Sequence, residues 1–151
     1  LAQGKKDRQL YEPGTIEFSI GGSVTVRDGK DVTIIAHGEM VGEALDAAEE
    51  LKEEGIDVRV IDMYTIKPFD RETVKKAVEE TGKIIVWEDH LMSGGLASSI
   101  ADYFVDEEIR PASFRRFGIP QVYAGFGSGE ELRRKYGYAK EHVMEAIRKM
   151  V

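Results

Sequence analysis

Apolar residues fall along this chain in two rhythms: short, nearly unbroken runs, and longer stretches in which they recur at three- and four-residue steps. Val32 to Ala36, Ile56 to Met63 and Ile84 to Trp87 are runs of the first kind, and they predict strands covered on both faces. Between them, Val41, Ala44, Leu45, Ala48 and Leu51 predict a helix with one buried stripe, ending near Glu54 and stopped by Gly55. Val74, Ala77 and Val78 predict a second helix, started by an Asp70 cap and ended by Gly82. Leu96, Ala97, Ile100, Ala101, Phe104 and Val105 line one side of a third. Ser113 to Gly118 reads as a short last strand. Ile119-Pro120 then leads into the turn-rich VYAGFGSGEE, ahead of helices near Glu130 to Tyr136 and Lys140 to Met150.

A strand, a helix and another strand joined by short connections form a right-handed crossover, so the buried runs are expected to be parallel. Val24 to Val26 is more polar and reads as an edge strand. The Asp28-Gly29 pair between it and Val32 to Ala36 predicts a hairpin joining the two. The expected fold is α/β: a three-layer αβα sandwich around a mostly parallel, mixed five-stranded sheet. Residues 1–17 are polar and without period, an expected linker or N-terminal extension, mobile unless something packs on Tyr11. Residues 18–151 are expected to form one domain, since 151 residues support a single sizeable core.

Composition narrows the chemistry. The chain has no cysteine, which removes disulfides, thiolate nucleophiles and Cys-ligated metals together. Its formal charge of -7 argues against a large nucleic-acid footprint. No apolar stretch approaches the roughly 18 residues of a membrane span, so no membrane partner is expected and a cytoplasmic location is.

In open α/β sheets ligands gather outside the carboxyl ends of the strands. That edge is expected to bring together His37 and Glu39, the segment Met63 to Pro68, and Glu88, Asp89, His90, Ser93, Gly94 and Gly95. Arg115 and Arg116 lie near the exit of the last strand with Gln121, Tyr123 and Phe126. Backbone donors from Ser93 to Leu96 at a helix start could hold a small anion, although Glu88 and Asp89 would repel it unless they point elsewhere. The competing reading is that Gly94-Gly95 serves a sterically demanding turn. Glu88, Asp89 and His90 with His37 have the composition of a metal or acid/base set, but adjacent residues cannot all face one ion without a special turn. Asp89, His90 and Ser93 are too close in sequence for the two-sided hydrogen bonding of a catalytic triad. No GxSxG elbow or phosphate-binding Gly-Lys-Ser/Thr loop is present. These residues are therefore expected to form an interface or anion site, with no catalytic, cofactor-binding or metal residue among them.

The segments GKDVTIIAHGEMVGEALDAAEELKEEGIDVRVIDMYTIKPFD, TGKIIVWEDHLMSGGLASSIADYF and RRFGIPQVYAGFGSGEELRRKYGYAKEHVMEAI occur in that order. Together they resemble the C-terminal domain shared by transketolases, deoxyxylulose-phosphate synthases and 2-oxo-acid dehydrogenase β subunits, with split or short transketolases nearest. The resemblance covers about Phe18 to Val151. Glu88, Asp89 and His90 match the family's EDH strand exit, Gly94 and Gly95 its GGLG turn, and TIKPFD its TIKPLD. Ala97 stands where the family pattern often has glycine.

The resemblance implies a noncatalytic structural or dimerisation domain of an enzyme that transfers two-carbon ketol units between sugar phosphates. Thiamine diphosphate and a divalent cation would be held elsewhere in the assembled enzyme. The implied partners are the cofactor-binding domains or subunit of the same transketolase, and a second copy in a homo-oligomer. A regulatory site for a small anion or sugar phosphate at the Gly94-Gly95 helix start is the alternative.

Overall fold

The computed structural model describes residues 9–12 and 14–151. Its elements, in chain order, are β1 (Val24–Arg27), β2 (Val32–Ala36), α1 (Glu39–Glu53), β3 (Val58–Asp62) and α2 (Arg71–Thr81), then β4 (Lys83–Leu91), α3 (Leu96–Asp106), β5 (Ser113–Ile119), α4 (Gly129–Tyr136) and α5 (Lys140–Met150). The strands form one sheet in the order β1-β3-β2-β4-β5. β3, β2, β4 and β5 run parallel, and β1 pairs antiparallel with β3 at one edge.

Strand alternation divides the apolar residues between two cores. Ile34, Val60, Ile85 and Trp87 face one side, where the α1 stripe and Val143, Met144 and Ile147 of α5 cover them. Ile35, Ile61, Ile84 and Val86 face the other, under Val74 and Ala77 of α2 and Leu96, Ile100 and Phe104 of α3. The sheet thus lies between two helical layers, as the periodicity predicts.

The expected hairpin does not form: β1 pairs with β3, through Val24↔Asp62 and Thr25↔Ile61. Both edges of β2 are already taken, by β3 and by β4. The Asp28-Gly29 turn instead wraps over the start of β3. Lys30 and Asp31 donate their amides to the Asp57 carbonyl, and Arg59 Nε donates to Asp28 Oδ1 at 2.9 Å. Gly29 is needed because a Cβ there would overlap the Val58–Arg59 backbone.

Within the expected linker, residues 1–8 and 13 lie outside the described residues. The part that is described does have something packed on it. Leu10 packs against the α1-side core, the Tyr11 hydroxyl donates to Asp62 Oδ2, and the Tyr11 ring meets Phe18 edge-on with ring centroids 5.8 Å apart.

Asp70 caps α2 as its position predicts. Oδ1 accepts from the Thr73 amide at 3.0 Å, while Oδ2 accepts from the Thr73 hydroxyl at 2.8 Å and the Ser23 hydroxyl at 2.9 Å. Asp70→Ala is expected to cost about 1–2 kcal/mol and Asp70→Asn clearly less, read from thermal unfolding midpoints. Equal losses for the two would show that the cap is not what Asp70 contributes.

Candidate functional site

β4 is longer than its apolar run suggests, continuing through Glu88, Asp89 and His90 to Leu91. Alternation therefore carries on past Trp87: Glu88 turns toward α3 with Ile84 and Val86, and Asp89 turns toward α4 with Ile85 and Trp87. The polar triplet after Trp87 reads as an exposed strand exit, but Glu88 is fully buried; Asp89 and His90 are exposed.

The Glu88 carboxylate sits at the start of α3. Oε2 accepts from the Leu96 amide at 2.9 Å and Oε1 from the Ala97 amide at 3.0 Å. Two orphan donors of a helix N-terminus are thus satisfied by an anion placed where the helix dipole favours it. Gly94 turns the chain with φ 88°, and a Cβ at Gly95 would overlap the Glu88 carboxylate, so the glycine pair serves a turn with a close approach. The approach is made by a side chain of β4, and Ala97 is accommodated with its methyl buried. Of the amides from Ser93 to Leu96 expected to be open to an external anion, that of Leu96 is taken by Glu88. The Gly94 amide donates to Ser98 Oγ at 2.9 Å.

His37 leaves β2 on the same side, with Nε2 3.7 Å from Glu88 Oε2 and no hydrogen bond of its own. Burial alone would raise the Glu88 carboxyl, but the His37 imidazole and the Ala97 and Leu96 amides outweigh it and hold the group below its ordinary range. Asp62, at the end of β3, shows the opposite balance. Burial raises its carboxyl, and the Tyr11 hydroxyl and His37 offset this only in part.

On the other side of β4, Arg133 of α4 donates through Nη2 to both Asp89 Oδ2 and Glu39 Oε2, each at 2.9 Å. The Tyr138 hydroxyl donates to Asp89 Oδ1 at 3.0 Å, and burial with this bond pushes it up to about 12. Arg133 and Tyr138 had no place among the sequence-derived site residues. Their partners lie 94 and 44 residues away for Arg133 and 49 for Tyr138, so no local motif marks them.

The candidate residues thus divide into a Glu88–His37–Gly95 group and an Asp89–Glu39 group, while His90, Ser93, Arg115 and Arg116 are exposed and join neither. His90 Nδ1 lies 3.2 Å from the Leu91 carbonyl. Among the described residues no three His, Asp or Glu side chains converge as metal ligands. Glu88 occupies the Leu96 and Ala97 amides, so these donors are not free to hold a pyrophosphate, and no step of group transfer is assigned to these side chains.

The family described as "Transketolase, C-terminal domain" matches residues 21–143. The chain belongs to this transketolase C-terminal domain family. One subunit of the apulose-4-phosphate transketolase of Phocaeicola vulgatus is 39% identical over 142 residues, covering 94% of this chain and 45% of that protein. 1-Deoxy-D-xylulose-5-phosphate synthase of Heliobacterium modesticaldum is 40% identical over 131 residues, covering 87% of this chain and 20% of that one. A solved structure titled "Split gene transketolase, inactive beta4 tetramer" superimposes with a TM-score of 0.85 at 36% identity, over 95% of this chain and 46% of the other. The transketolase C-terminal fold is therefore present here, and the chain spans less than half the length of each of these relatives.

Proposed function

We propose that this chain supplies the noncatalytic C-terminal domain of a thiamine-diphosphate-dependent transketolase, a structural part of an assembly whose cofactor and divalent cation are held by companion domains. The observation that carries this reading is the buried Glu88. It is the acidic group most suggestive of catalysis, and both its oxygens are committed to the amides that start α3. Asp89 and Glu39 are likewise held by Arg133, which joins β4, α1 and α4. These are the contacts of a framework rather than of an acid/base pair poised for substrate.

The relatives support the wider assembly. The Phocaeicola vulgatus protein is named as one of the subunits of a transketolase, and the split-gene structure as a beta4 tetramer. By that analogy the working enzyme is cytoplasmic, acts on sugar phosphates by ketol transfer, and contains more than one copy of this polypeptide. Thiamine diphosphate would supply the electron sink for that chemistry from the companion domains. The anion-module alternative is weakened by Glu88 and Ser98, because an external phosphate would have to displace the buried carboxylate from the Leu96 amide and the hydroxyl from the Gly94 amide.

The 151-residue chain alone is expected to give no heat on titration with thiamine diphosphate and Mg²⁺, and no ketol transfer between sugar phosphates. Adding the companion cofactor-binding domains should produce turnover. Turnover by the chain alone would overturn the reading.

A further inference from the structure

We infer that the ion pairs joining α4 and α5 to α1 form a seam that fastens the C-terminal helices in hot water, and that this protein works well above the temperature range of ordinary mesophiles. The inference is independent of the role proposed above, since it rests on composition, connection lengths and charged contacts alone.

The residues whose side chains are chemically least durable at high temperature are scarce. Asparagine deamidates and cysteine oxidises, and the 151 residues include no asparagine, no cysteine and only three glutamines, Gln3, Gln9 and Gln121. Charged residues make up 32% of the chain, above the roughly 25% of an average soluble domain. Several connections are short as well. Gly82 alone separates α2 from β4, His37 and Gly38 separate β2 from α1, and residues 137–139 separate α4 from α5.

The charged residues are arranged rather than scattered. α4 has no buried residue, so no apolar stripe fixes its place. Arg133 holds it to Glu39 of α1 and Asp89 of β4, and Arg134 meets Glu141 of α5 at 3.1 Å and Glu130 at 2.8 Å. On α5, Lys140 pairs with Glu50, and Arg148 holds Glu54 through two parallel hydrogen bonds of 2.7 and 2.6 Å. Glu50 and Glu54 are one turn apart on α1, so both cations meet the same face of that helix. A second network lies across the sheet, where Arg59 joins Asp28 at 2.9 Å and Glu80 at 2.5 Å, and Lys76 approaches Glu80 at 3.8 Å.

Near 25 °C exposed pairs of this kind contribute little, because ordering two long side chains and stripping their water offset the attraction. Heat shifts that balance. The hydration of charged groups becomes less favourable as temperature rises, while hydrophobic stabilisation per unit area levels off. A helix with no buried side chain, held by linked ion pairs, is therefore fastened best when hot. The loss of asparagine and cysteine is a covalent matter with no bearing on packing, and it points to the same working condition.

The test is thermal unfolding of the full 151-residue chain, followed by far-UV circular dichroism. The midpoint should lie above about 80 °C, against about 45–65 °C for mesophile domains, and any midpoint below about 80 °C overturns the inference. The triple variant Glu39→Gln/Glu50→Gln/Glu54→Gln keeps the shape of the seam and removes its α1 charges. Its midpoint should fall by at least about 5 °C, and about 1 M NaCl should at least halve that gap from the parent by screening. The control Glu17→Gln/Glu53→Gln/Glu79→Gln removes the same charge from exposed positions that have no ion-pair partner among the described residues. In an acidic chain it should leave the midpoint within about 2 °C or raise it. Equal falls for the two triple variants, or a gap that salt does not narrow, would show that overall charge or packing holds the C-terminal helices, and the seam would be refuted.

Discussion

Replacing Glu88 by alanine is expected to destabilise the chain by about 3–5 kcal/mol, the usual cost of removing one member of a buried charged network. The carboxylate satisfies the Leu96 and Ala97 amides at 2.9 and 3.0 Å at a position 0% exposed. For a chain of this size the thermal midpoint should fall by roughly 6–20 °C. Glu88→Gln keeps the shape but turns a donor toward a backbone donor and removes the charge, so an intermediate loss is expected. Hydrogen exchange gives the site-specific check: the first-turn amides of α3 should lose protection before the rest of the helix. A loss under about 1 kcal/mol for the alanine variant would mean that other groups start the helix.

The same residue has a pH signature. Its folded-state carboxyl titrates below the ordinary value of 4.5 shown by an unconstrained chain. The unfolded state therefore binds the proton first as the pH falls. The stabilisation from Glu88 is fully present above that ordinary value and is lost as pH falls through the folded one. The acid limb of stability against pH should be shallower in Glu88→Ala than in the parent chain, with the two curves converging at low pH.

Why Glu88 is hard to place from sequence is instructive beside what is easy. Val32 to Ala36 has no polar position except a threonine, and such a run fits only the centre of the sheet, where it is found. The α1 stripe and the Asp70 cap are equally local signals, readable because 3.6-residue periodicity and capping geometry depend on neighbours in sequence. The pairing of β1 is different. Asp28-Gly29 is a fair local signal for a hairpin, but the choice of partner was made by strands far along the chain that had already claimed both edges of β2.

Glu88 combines the two cases. Three adjacent polar residues, Glu88 to His90, suggest an exposed exit, whereas continuing the alternation of Ile84 and Val86 sends Glu88 inward to a helix start that requires an anion. Periodicity held the answer and composition hid it. Arg133 offered no comparable clue, since α4 has no buried residue and its role exists only once Glu39 and Asp89 are brought together by the fold.

Trp87→Ala should be at least as damaging, because Trp87 ties the sheet to the α4–α5 connection by two separate contributions. Its side chain is 0% exposed within the core formed with α1 and α5, and truncating a buried tryptophan costs about 3–5 kcal/mol. Its Nε1 also donates to the Tyr138 carbonyl at 2.8 Å, and leaving that buried acceptor unpaired adds about 1 kcal/mol or more. Trp87→Phe separates the two, since it keeps most of the ring volume and loses the donor; a loss of about 1–3 kcal/mol is expected for it. Trp87 is the only tryptophan, so unfolding of both variants must be followed by far-UV circular dichroism rather than by intrinsic tryptophan emission. The effect should spread to the neighbouring cluster, because the Tyr138 hydroxyl holds Asp89 and Asp89 holds Arg133. In Trp87→Ala the amides of α4 should therefore lose exchange protection along with those at the end of β4. If Trp87→Phe proves as unstable as Trp87→Ala, the hydrogen bond and not the packing carries the join. If neither variant disturbs α4, the sheet and that helix are coupled through Asp89 and Glu39 alone.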